Sequence, residues 1–83
     1  MKRKMTQSQI DDEAIRRGIR ATAAVLEINI EGLAGRMNMA PRTLYKRISQ
    51  PGTMTVYELR RAEILMRSAG IDWRSLRESI QRS

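Results

Sequence analysis

Three features of the sequence predict an all-α fold. Apolar residues recur at three- and four-residue steps through most of the chain, whereas the strict alternation of a half-buried strand is almost absent. Helix-boundary residues fall between those periodic stretches, at Asn29, Pro41, Thr55 with Glu58, Gly70 and Asp72. The chain has 83 residues, enough for one small core and no second domain. The expected architecture is a compact five-helix domain over residues 10–83, preceded by a basic arm at residues 1–9.

The first helix is expected from about Asp11 to Glu27. Asp11, Asp12 and Glu13 crowd its first turn, where carboxylates suit the positive end of the helix dipole. Ile15, Ile19, Thr22, Ala23 and Leu26 mark one face. Asn29 is a good N-cap for the second helix, and Ile28 can staple against Leu33 across that start. Ile30, Leu33, Ala34 and Met37 share a face, and Asn38 supplies the left-handed residue that a sharp exit needs. Pro41 opens the third helix at a position where its missing N–H costs nothing, and the helix stops before Pro51-Gly52. Thr55 and Glu58 form a capping box for the fourth helix, which presents Leu59, Ala62, Leu65, Met66 and Ala69 to the core and ends at Gly70. Asp72 caps a short fifth helix carrying Trp73, Leu76 and Ile80.

Composition closes several functional classes. Cysteine and histidine are both absent, which removes disulfide scaffolds, thiol catalysis, Cys/His zinc sites and histidine acid–base chemistry. No Gly-rich phosphate loop, metal-ligand cluster or nucleophile–base pair is present, so neither enzymatic activity, a cofactor nor a small-molecule substrate is expected. No apolar run is long enough to span a membrane. Met1-Lys2-Arg3-Lys4 lacks the apolar segment of a signal peptide, and a cytoplasmic protein is the default.

Charge points to a partner. Sixteen Lys and Arg against nine Asp and Glu give +7, which favours a polyanion. No acid lies between Glu31 and Glu58, while Arg36, Arg42, Lys46 and Arg47 all do. The second and third helices, joined by a short turn, make a helix-turn-helix candidate at about residues 30–48. At about 100° per residue, Leu44 and Ile48 point toward the body of the domain, and Arg42, Thr43 and Lys46 point away. A guanidinium can hold guanine O6 and N7 in a bidentate fork, and a threonine offers a hydroxyl or a methyl contact.

The run Ile28-Asn29-Ile30-Glu31-Gly32-Leu33-Ala34-Gly35-Arg36-Met37-Asn38-Met39-Ala40-Pro41-Arg42-Thr43-Leu44 resembles the helix-turn-helix of Cro/cI-type (XRE, lambda-repressor-like) phage regulators. The Leu33-Ala34 pair matches that pattern, as do Thr43 to Ile48, Pro51 to Thr55 and Ile71 to Leu76. The chain departs from it at Asn38, where Gly is frequent, at Ile30, where a polar residue is usual, and at Ala40, where Ser is usual. Its Leu44 to Ile48 step is four residues where many relatives use three. The resemblance implies a repressor or related regulator of phage or mobile-element type that binds operator DNA, usually as a symmetric homodimer.

Base-edge contacts are assigned to Arg42, Thr43 and Lys46. Arg36, Tyr45 and Arg47 are assigned to backbone phosphates, which fix register without carrying sequence information. Tyr45 has a second reading, packing of its ring against the second helix. Trp73, Leu76 and Ile80 either close the core or meet a second copy. Lys2, Arg3 and Lys4 either track the minor groove or fray. The rival function is a protein-interaction module, an antirepressor or adaptor that retains the fold. A further rival is charge-driven binding to nucleic acid or an anionic surface.

Overall fold

In a computed structural model, which describes residues 5–82, the order is α1 (Gln7–Leu26), α2 (Ile30–Arg36), α3 (Pro41–Ser49), a 3-10 turn (Pro51–Thr53), α4 (Val56–Ser68) and α5 (Trp73–Arg82). Every one of these elements is helical, and no strand occurs among the described residues. Helix α1 is the hub, in contact with each of the others. Its buried residues Ala14, Ile15, Gly18, Ile19, Thr22 and Ala23 form one continuous stripe. Leu33, Ala34 and Met37 from α2, Leu44 and Ile48 from α3, and Ala62 and Met66 from α4 pack with it into one core. Thr22 is the one buried polar side chain in that stripe, and its hydroxyl donates to the Gly18 carbonyl at 2.7 Å.

Helix α1 begins four residues earlier than the expected Asp11. Thr6 and Gln9 form a capping box: the Thr6 hydroxyl accepts from the Gln9 N–H, and the Gln9 side chain accepts from the Thr6 N–H. Gln7 to Gln9 therefore belong to the helix rather than to an arm, and the three acids expected in the first turn lie further along. Lys2, Arg3 and Lys4 fall outside the described residues. At its other end Glu27 occupies the left-handed region with φ 56°.

Helix α5 runs back along α1. Gln81 donates to Gln7 at 3.0 Å, and Arg77 reaches Asp11 at 3.6 Å. Gly18 permits the close approach: a Cβ there would lie 2.8 Å from Met66 Sδ and 3.4 Å from Trp73 Cβ. Trp73 and Leu76 are partly buried and Ile80 is buried, so this stripe lies against the domain's own body. The Trp73 indole N–H donates to Glu63 at 2.9 Å, and the Arg74 and Arg77 guanidiniums sit 5.6 and 5.5 Å from its ring centroid.

Candidate nucleic-acid interface

Local chemistry fixes the α2–α3 pair. Asn29 caps α2, its side-chain oxygen accepting the Gly32 N–H at 2.8 Å. The exit is a Schellman turn: Asn38 adopts φ 56°, its N–H donates to Gly35, and the Met39 N–H donates to Ala34. Ala40 then stands at the start of α3 without a side-chain cap, followed by Pro41 in the first turn.

Helix α3 buries Leu44 and Ile48 and turns Arg42 and Lys46 to solvent. Neither cation has a hydrogen-bond or ion-pair partner among the described residues. Thr43 is half-buried on the flank rather than fully outward. Arg36, near the end of α2, is likewise exposed and unpaired. Four of the expected contacts are thus accessible to a ligand on or beside one helix.

The remaining two expected phosphate contacts are engaged within the chain. The Tyr45 hydroxyl donates to Glu31 at 2.7 Å, bridging α3 to the start of α2 while half the ring stays exposed. That bond holds the Glu31 carboxyl below its ordinary pKa and raises the phenol above its own. Arg47 is mostly buried; its Nε lies 2.8 Å from Glu58 and its Nη1 3.3 Å from the Thr53 hydroxyl. Burial pushes the Glu58 carboxyl upward, but the Thr55 N–H, the Arg47 guanidinium and the Thr55 hydroxyl together bring it below the ordinary value. Glu58 thereby serves both the α4 capping box and the α3–α4 seam.

Two arginines that sequence reasoning did not assign act on helix ends. Arg16 of α1 donates through Nε to the Ile48 carbonyl at 2.9 Å and through Nη2 to the Ser49 carbonyl at 3.2 Å. Glu13 holds the same guanidinium at 2.7 Å, which lowers the Glu13 carboxyl below its ordinary pKa. Arg61 of α4 donates to the Met37 carbonyl, at the end of α2, at 3.1 Å. Each places positive charge where unpaired carbonyls and the dipole leave the helix end negative. Helix α3 is therefore braced at three points: by Tyr45–Glu31, by Arg47–Glu58, and at its C-terminus by Arg16. Residue spacing carries no signal for a contact spanning 32 positions.

Elsewhere the surface offers less. An open cleft of about 230 Å³ between the end of α4 and the start of α5 is lined by Glu63, Met66, Asp72 and Trp73, among others. Its carboxylates are occupied: Glu63 accepts from Trp73, and Asp72 accepts from the Arg74 N–H and the Ser75 hydroxyl. No group of three potential metal ligands occurs among the described residues, and no described helix is long and apolar enough to cross a membrane. Comparison with protein-family models, curated proteins and solved structures gives no significant match to this chain.

Proposed function

We propose that this chain is a sequence-specific double-stranded DNA-binding regulator, a repressor of Cro/cI type from a phage or mobile element, acting in the cytoplasm of its host cell. The observation that carries the reading is a braced helix, α3, that turns outward two cations without a partner among the described residues, with no acid on the same face of the helix. A helix entering the major groove needs donors aimed outward and a fixed orientation, so that an arginine fork meets base edges at a defined angle. Arg42 and Lys46 are the base readers, with Thr43 beside them. Helix α2 crosses the backbone, and Arg36 supplies its phosphate contact. Tyr45 and Arg47 reach phosphate only by leaving Glu31 and Glu58. The arrangement is taken as lambda-repressor-like on the strength of helix order and the short α2–α3 turn.

A homodimer completes the proposal, with half-sites about 34 Å apart. Of the α5 stripe, Trp73 and Leu76 keep exposed surface for a second copy, whereas Ile80 is spent within the chain. Selection from a random duplex pool tests the reading. A defined motif with two related halves is the expected outcome; a pool that stays random after repeated rounds contradicts it.

A further inference from the structure

We infer that the outward face of α4 is a docking surface for an acidic amphipathic helix of another protein. The inference stands independently of the DNA-binding reading. Tyr57 and Ile64 are 73% and 64% exposed. Tyr57 and Ile64 are seven positions apart, so they share one line along the helix, two turns from each other. Arg60 and Arg67 flank that line on one side and Arg61 on the other, all exposed. The two acids of α4 are on other faces and already engaged, Glu58 with Arg47 and Glu63 with Trp73. Arg60 and Arg67 have no partner among the described residues.

The face thus combines an apolar ridge with uncompensated positive charge over a helix about 20 Å long. Each candidate occupant meets those two properties differently. A second copy packed face to face would oppose arginine to arginine with no acid between them. A phosphate backbone would satisfy the arginines and leave Ile64 against charged oxygens. A helix with apolar residues at every third or fourth position and glutamates alongside satisfies both, seating its ridge beside Tyr57 and Ile64 and its carboxylates on the arginines. Such a helix would also lie at the edge of the helix-turn-helix, because Arg61 on this face is the residue that touches the end of α2.

The probe is a synthetic helical peptide with leucines in an i, i+3, i+4, i+7 stripe and glutamates at the other positions, titrated into the full chain and followed by backbone amide shifts. A scrambled peptide of the same composition controls for charge. The expected result is perturbation centred on residues 56–68 and binding about tenfold tighter than the scrambled peptide, the fold-change that burying one isoleucine-sized side chain yields. Ile64→Ser and Tyr57→Ser should each weaken the peptide while leaving thermal melting unchanged, since both side chains are exposed. Equal binding of the scrambled peptide, or shifts centred on α3, overturns the proposal. Sedimentation of the chain alone decides against it as well if Ile64→Ser abolishes self-association, since a second copy then owns the face. Loss of duplex binding in Tyr57→Ser and Ile64→Ser assigns the face to DNA and also overturns it.

Discussion

The outer face of α3 and the seam behind it use the same side chain for opposite ends. Arg42 projects into solvent with no partner among the described residues, while Arg47, five positions along the same helix, is folded back onto Glu58 and Thr53. Arg16 and Arg61 belong with Arg47: each guanidinium is spent on carbonyls at a helix end. Net charge treats these residues as equivalent, yet only the unpaired ones can meet a new anion without first breaking a bond. The locked ones fix where the free ones point. An excess of arginine is thus two populations, one that builds the platform and one that stands on it.

Substitutions can break that division. The largest stability loss is expected under the platform, where Leu44 is fully buried between α3 and the core. Leu44→Ala should cost about 2–5 kcal/mol in chemical denaturation, enough to unfold much of a small domain. Arg47→Ala comes next, at about 1–3 kcal/mol of stability, because Glu58 is left half-buried without its cation. Arg42→Ala should leave the melting curve in place and cost about 1–3 kcal/mol in duplex affinity, with relaxed base preference. If Arg42→Ala and Arg47→Ala lower stability equally, the two populations are one.

A pH scan sharpens the same contrast. Glu13 and Glu58 both ionise below the ordinary 4.5: the Arg16 guanidinium holds the Glu13 carboxylate, and at Glu58 the upward push of burial is outweighed by the Thr55 N–H together with the Arg47 guanidinium. Groups lowered in the folded state stabilise it above their unfolded pKa, and that contribution disappears as pH falls through the folded value. Melting temperature should therefore hold from neutrality down to about pH 5 and decline below it, and Glu58→Gln should flatten the decline. The smallest effect lies away from both regions. Glu27 sits in the left-handed region at the end of α1, so Glu27→Gly should stabilise the fold by about 0.5–1 kcal/mol by relieving that conformation.

What the sequence made legible was local. Asn29, Asn38, Pro41, the Thr55–Glu58 box and Gly70 each act within four residues, and each stands where its chemistry places it. The inward turn of Leu44 and Ile48 followed from the helical repeat alone. The α1 start differs from the expected Asp11 because Gln7 to Gln9 bring no apolar residue to extend the periodic stripe, although Thr6 and Gln9 close a capping box around them. The role of Gly18 was invisible, since it depends on Met66 and Trp73 arriving from two other helices. The same holds for the braces: Arg47 and Arg16 read as surface charges until the fold brings Glu58 and the α3 carbonyls to them. Long-range pairing decides which arginines remain free, and periodicity does not encode it.

Duplex binding by the unaltered chain and by Arg42→Ala, measured on the selected motif and on a scrambled duplex of equal length at physiological salt, is the decisive measurement for base readout by α3. The unaltered chain should prefer its motif by at least about a thousandfold, and Arg42→Ala should lose about tenfold or more of that preference at unchanged folding. Equal affinity for both duplexes, or an Arg42→Ala chain indistinguishable from the original on each, contradicts it.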